Sequence, residues 1–230
     1  MEIKRFWERK EAFDFLVIHF FQVANQSIST KGVFNVAVSG GSSPAPFFKE
    51  LINQASQFYH WNKVNFFWVD ERWVSFENKE SNFGEASRLG LTTIPAQFYP
   101  FQTDVSEPKL SIEKYQEELK RNFIDQQGFD FVILGAGTDE HTASIFHSNL
   151  TEAKSAALAF HTIHPTTGQI RLSISMPLIT QSHEVVLLLL GAEKIAILKS
   201  LSAVPSTGMS PVQTAILTSK KSMIVTDIND

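Results

Sequence analysis

Cysteine is absent from all 230 residues, which excludes disulfides, thiolate metal sites and cysteine nucleophiles. A chain without thiols fits a reducing compartment, and the cytoplasm is the expected location. No apolar run reaches the roughly 18 residues of a membrane span. The nearest, residues 16–24, is interrupted by His19 and Gln22. The amino terminus carries charges but no cleavage-type sequence, so a secretory signal is not expected. A basic excess is missing too. Lysine and arginine number 20 against 24 acidic residues, for a net charge of −4, and no basic stripe points to nucleic acid. Tyrosine is scarce, at 3 against 20 phenylalanines, so the aromatic content reads as core filling. No G-x-S-x-G elbow occurs, which leaves a serine hydrolase mechanism without an anchor.

What is there is an alternation of helical and strand patterns without repeats or low-complexity tracts. Residues 34–38 (FNVAV), 64–69 (VNFFWV), 129–134 (FDFVIL), 170–174 (IRLSI) and 185–190 (VVLLLL) read as strands, and residues 223–226 as a short last one. Helices are expected over 10–26, 44–54, 112–124 and 192–201, the third charged and exposed. Residues 95–108 read as loop. Near-continuous apolar strands separated by helices predict an α/β fold, a mostly parallel sheet with helices on both faces, formed by a single domain over residues 1–230.

Four polar segments follow or interrupt these strands. GAGTDEHTAS, residues 135–144, sets a glycine turn, Asp139 and His141 directly after a strand, where open α/β sheets bind ligands. The pair can form an acid/base centre, although G-x-G after a strand often only makes a turn. It is not a dinucleotide fingerprint, because the third glycine is absent and position 140 is glutamate. In SGGSSP, residues 39–44, Gly40 and Gly41 permit close backbone approach. Ser42 and Ser43 follow, with Ser43 at the expected N-cap and Pro44 at the first helical position. A helix start there suits a phosphate, with a plain capped helix as the alternative. In VDERWV, residues 69–74, Arg72 can clamp an anion or stabilise an oxyanion with Asp70 orienting it; a local Asp–Arg pair holding the loop is the rival reading. Arg171 interrupts an apolar strand and needs a partner, for which a ligand phosphate would serve. Lys194, in GAEK, places a cation at a helix start, against the helix dipole. Among the other histidines, His161 and His164 are three apart but have no carboxylate to join them, His19 reads as core, and His60, His147 and His183 have no supporting pattern.

Taken in order, SGGSSP, WVDERWV with Ser81-Asn82-Phe83, LGAGTDEHTASIF, RLSIS and GAEK resemble the 6-phosphogluconolactonase family over about residues 35–200. The resemblance implies a single Rossmann-like domain, shared with glucosamine-6-phosphate deaminases and ribose-5-phosphate isomerases. It also implies hydrolysis of 6-phosphogluconolactone in the pentose phosphate pathway, without metal or cofactor. On the matching positions, His141 is the general base, Arg72, Asp70 and Asp139 are catalytic, and Gly40, Gly41, Ser42, Ser43, Arg171 and Lys194 bind substrate phosphate. The expected partner is a small phosphosugar lactone, with no nucleic acid or membrane, and the chain is expected to be a monomer or weak homo-oligomer. Two positions depart from the family: Glu140 stands where glycine is usual, and His147-Ser148 replaces Pro-Gly after HTASIF. Rival readings are a glucosamine-6-phosphate-type isomerase/deaminase, whose pattern puts an aromatic where Arg72 stands, and a non-catalytic phosphosugar-binding protein.

Overall fold

The computed structural model describes residues 1–41, 43–122, 124, 128–203 and 208–229. Ten strands occur among them: β1 (Glu2–Arg5), β2 (Phe34–Val38), β3 (Val64–Trp68), β4 (Asp70–Arg72), β5 (Gln97–Tyr99), β6 (Phe131–Leu134), β7 (Ala159–Ile163), β8 (Ile170–Ile174), β9 (Glu184–Leu189) and β10 (Ser222–Thr226). The α-helices are α1 (Arg9–Lys31), α2 (Ala45–Asn53), α3 (Asn82–Arg88), α4 (Pro108–Arg121), α5 (Leu150–Ser155), α6 (Met176–Gln181), α7 (Ile195–Ser202) and α8 (Pro211–Leu217).

Seven strands form a parallel sheet in the order β1-β10-β9-β6-β2-β3-β5. The central members β2, β3, β6 and β9 are buried at every residue, because helices cover both faces and leave no solvated side to alternate towards. From β2 the chain winds outward through β3 to β5, then returns to place β6 on the other side of β2. The strand order therefore reverses between β2 and β6, and such a switch point opens a crevice beyond the carboxyl ends of the strands.

The phenylalanines fill the core as expected. Phe20 of α1 meets Phe34, Phe66 and Phe131 with ring centroids 5.1, 5.9 and 6.2 Å apart, tying the helix to three adjacent strands. Burying one such ring stabilises the fold by roughly 1.5–3 kcal/mol. His19, expected in the core, lies at its edge, where Nε2 reaches the fully buried Glu184 at 2.8 Å.

Three expectations need correction. Residues 170–174 do not join the parallel sheet. As β8 they form the middle of a separate antiparallel sheet, order β4-β8-β7. Arg171, which interrupts the apolar pattern of this strand, lines a polar cleft, a position that a doubly covered parallel strand does not offer, while Ser173 is buried and accepts from the Ser144 amide at 3.3 Å. Residues 95–108 are not all loop, since β5 extends β3 at the sheet edge; with three residues between prolines it leaves no periodicity to read. The helix expected to be charged and exposed, α4, does bury one face through Ile112, Tyr115 and Leu119.

Candidate active site

The crevice at the switch point is a cleft of about 300 Å³. Its floor is made where the chain leaves β2 and β6. The Ser39 amide donates to the Ile133 carbonyl at 2.9 Å, and the Gly135 amide to Ser39 Oγ at 3.3 Å, so the two loops are fastened together. At Gly40 any Cβ would collide with the Asn82 side chain, so close approach of the loop after β2 to the start of α3 requires glycine there. The expected helix start is shifted. Pro44 is the N-cap, α2 begins at Ala45, and Ser43 makes no capping bond. The Ala45 amide already donates to the Gly41 carbonyl, Pro44 and Pro46 have no N–H, and the Gly41 amide donates to Glu85 Oε2 at 3.1 Å. The helix start thus presents fewer free donors than the sequence promised. Gly40, Gly41, Ser43 and Pro44 do line the cleft; Ser42 lies outside the described residues.

Beyond β3 the residues of DERWV divide their labour. Glu71 is fully buried and accepts from Asn82 N, Arg72 N, Phe83 N and Ser81 Oγ at 2.7, 2.7, 2.8 and 3.0 Å, tying β4 to the start of α3. Burial pushes its carboxyl above the ordinary value despite these donors. Asp70, expected to orient Arg72, does something else. Its carboxylate accepts from Ser144 Oγ at 2.7 Å and Asn82 Nδ2 at 3.2 Å, pinning the loop after β6 to β4 and α3.

Arg72 and Arg171 are direct partners in the antiparallel pairing of β4 with β8, so both side chains leave the same face of the small sheet, into the cleft. One Arg72 nitrogen donates to the Glu80 carbonyl. Both Nε atoms are buried and without a hydrogen-bond partner, and no ion pair joins either guanidinium to a carboxylate among the described residues. Burial, then the neighbouring Arg72, pulls the Arg171 pKa below its usual value. Two adjacent cations with spare donors form a site for a doubly charged anion.

The loop after β6 carries the histidine. Its turn is closed by Glu140 N to Gly137 O and Gly137 N to His141 O, both at 3.0 Å. His141 Nδ1 lies 2.6 Å from Asp139 Oδ1, and Nε2 has no partner among the described residues. Burial opposes ionisation of Asp139, but the His141 hydrogen bond and charge outweigh it, and the carboxyl sits below its ordinary value. A Cβ at Gly137 would strike the His141 ring, so this glycine makes room for the pair. Glu140 has φ of 62° and Ala143 of 49°, left-handed values for non-glycine residues within one short loop. The Glu140 carbonyl accepts from Val212 N, in the first turn of α8, at 3.2 Å.

The fold therefore brings Asp70, Arg72, His141 and Arg171 to one cleft, with Asp139 bonded to the histidine from outside it. Lys194 is set behind: its Nζ donates to the Ala136 carbonyl at 2.9 Å and does not line the cleft. Three contributors were missed. Asn82 and Ser144 lie within the motifs but act only through the folded contacts above. His164 lines the cleft as well.

The family model of glucosamine-6-phosphate isomerases/6-phosphogluconolactonase matches residues 8–225. The chain belongs to this family. Among curated members, 6-phosphogluconolactonase of Synechocystis is 35% identical over 176 residues, covering 74% of this chain and 71% of the relative. That of Aggregatibacter actinomycetemcomitans is 34% identical over 180 residues, covering 76% of each. Among solved structures, a 6-phosphogluconolactonase from Shewanella baltica superposes with a TM-score of 0.86 at 25% identity, covering 98% of this chain and 96% of that one. The expected α/β fold and family are those found.

Proposed function

We propose that this chain hydrolyses 6-phosphoglucono-1,5-lactone to 6-phosphogluconate, the lactonase step of the pentose phosphate pathway, and does so in the cytoplasm. One observation carries the reading: a single cleft sets His141, backed by Asp139, beside the unpaired arginines Arg72 and Arg171. A lactone is an activated ester, so catalysis needs a base for water, positive field for the oxyanion and a grip on the phosphate.

With Nδ1 donating to Asp139, His141 keeps Nε2 as the acceptor. Water adds to the lactone carbonyl carbon while Nε2 takes one of its protons. The tetrahedral intermediate then collapses, the bond from that carbon to the ring oxygen breaks, and the imidazolium returns the proton to the departing oxygen. Asp139 stabilises the imidazolium between these steps. Arg171 and Arg72 hold the phosphate, and the Arg72 charge also favours the oxyanion. Gly40, Gly41 and Ser43 line the same cleft. Asp70 acts through Ser144 and Asn82, and Lys194 through the Ala136 carbonyl, as positioning residues.

The test is a spectrophotometric assay with freshly generated 6-phosphogluconolactone, corrected for spontaneous hydrolysis. Turnover that falls by on the order of 10² in His141→Ala is expected. A rate no higher than the uncatalysed one sinks the reading, and ammonia release from glucosamine-6-phosphate would move the chain to the other branch of its family.

A further inference from the structure

His164 has a place in the cleft that its sequence context did not suggest. The β7–β8 hairpin pairs Thr162 with Arg171 and Ile163 with Ile170, and the His164 amide continues the ladder to the Gln169 carbonyl at 2.8 Å. Side chains two apart on a strand share a face, so His164 lies on the face that carries Thr162 and Arg171. Register with Arg72 extends that face onto β4.

The ring is held by both its edge and its plane. Nδ1 accepts the amides of Thr166 and Thr167, each at 3.2 Å. A ring nitrogen that accepts carries no proton, so the neutral ring keeps its one hydrogen on Nε2. Phe146 packs edge-on against it with centroids 4.9 Å apart, and against His141 at 5.1 Å. With Nδ1 turned back to its own loop, Nε2 is the atom left to face the cleft. The titratable groups around it are Arg171, His141, Asp139 and Arg72; burial first, then the Arg171 charge, keep its pKa below the ordinary 6.5.

We propose that His164 is a further substrate-contacting residue, whose Nε2–H donates to a phosphate oxygen of the phosphorylated lactone held between Arg72 and Arg171. The inference rests on the lactonase reading above. A neutral donor adds direction without adding a third positive charge beside two guanidiniums that already repel one another.

Two measurements test it. In steady-state kinetics, His164→Ala raises KM for 6-phosphogluconolactone on the order of tenfold, the size of one hydrogen bond to a charged group, with little change in kcat. Unphosphorylated gluconolactone is hydrolysed as before, and His164→Gln, whose amide N–H₂ falls near the Nε2 position, recovers most of the loss. Equal losses on both lactones, or a loss confined to kcat, overturn the proposal. The second measurement needs no turnover. Nitrogen NMR of the histidine side chains, with inorganic phosphate as the probe, is expected to show the Nε2–H tautomer at neutral pH and a shift of Nε2 on adding phosphate. An Nδ1–H tautomer, or an Nε2 that phosphate leaves unmoved while Arg171 responds, overturns it equally. If the protein lacks lactonase turnover yet gives this NMR response, the lactonase reading fails and His164 stands as an anion ligand.

Discussion

Arg72 and Arg171 stand directly opposite each other across two antiparallel strands, with no carboxylate paired to either among the described residues. Like charges in that position destabilise a sheet. Their mutual repulsion is a cost that an anionic ligand removes. Arg171→Met should raise KM for the phosphorylated lactone about tenfold or more, by loss of roughly 1.5–3 kcal/mol of charged hydrogen bonding. The same change should raise the Tm of the ligand-free protein slightly while abolishing the stabilisation that 6-phosphogluconate gives the unaltered chain. A variant less stable without ligand and still stabilised by product would show that the arginine serves the fold.

His141 has Asp139 on one ring nitrogen and no partner on the other. His141→Ala should lower kcat by on the order of 10², the low end of the range for a positioned base, because the substrate hydrolyses readily unaided. Asp139→Asn should lower kcat less and leave KM nearly unchanged. Unaltered kcat in His141→Ala would take the residue out of the mechanism.

Glu140 has φ of 62°, in the region that glycine enters without a Cβ penalty. Glu140→Gly is expected to stabilise the protein by about 1 kcal/mol, offset in part by the greater chain entropy of glycine. That corresponds to a rise in Tm of about 2–4 °C for a chain of this size. Glu140→Gln keeps the Cβ and should leave stability alone. Should Gln instead match Gly and move the acid limb of the pH–rate profile, charge next to His141 is the cause and strain is not.

Glu184 is fully buried, and both its oxygens are taken, by His19 and by Lys221 at 2.6 Å. Burial alone would raise its pKa, but these two partners hold it below the ordinary 4.5. A carboxyl depressed in the folded state contributes stability above its unfolded pKa, and loses it as the pH falls through the folded value. Glu184→Gln should therefore destabilise the protein at neutral pH by about 1–3 kcal/mol, with the gap to the parent closing as the medium is acidified below 4.5. Urea unfolding at neutral and acid pH measures it, and a gap that stays constant would assign the loss to packing.

The central strands were legible because burial on both faces writes an unbroken apolar run, and the loops beyond them were legible because glycine and charge follow such runs abruptly. The edges were not. β1 reads EIKR, a charged segment that becomes a strand only by pairing with β10. Arg171 was recognised as a cation in need of a partner, but its sheet was not, since a short strand does not announce which neighbour it will find. His164 was dismissed for want of a carboxylate nearby in sequence. Its signal was the turn-forming Pro165-Thr-Thr-Gly168 between two short β-prone stretches, which reads as a hairpin and sets position 164 near Arg171.

The three-stranded sheet joins the segment after β3 to a hairpin formed far later in the chain. Neither half of the anion site exists as a local structure, and the histidine loop is held by Asp70 from the earlier segment and by Val212 from the last helix. During refolding, the far-ultraviolet signal of the helices should return before any turnover does. Lactonase activity is then a clock for the final docking of distant chain segments, and it should reappear in step with protection of the β4–β8 amides from exchange.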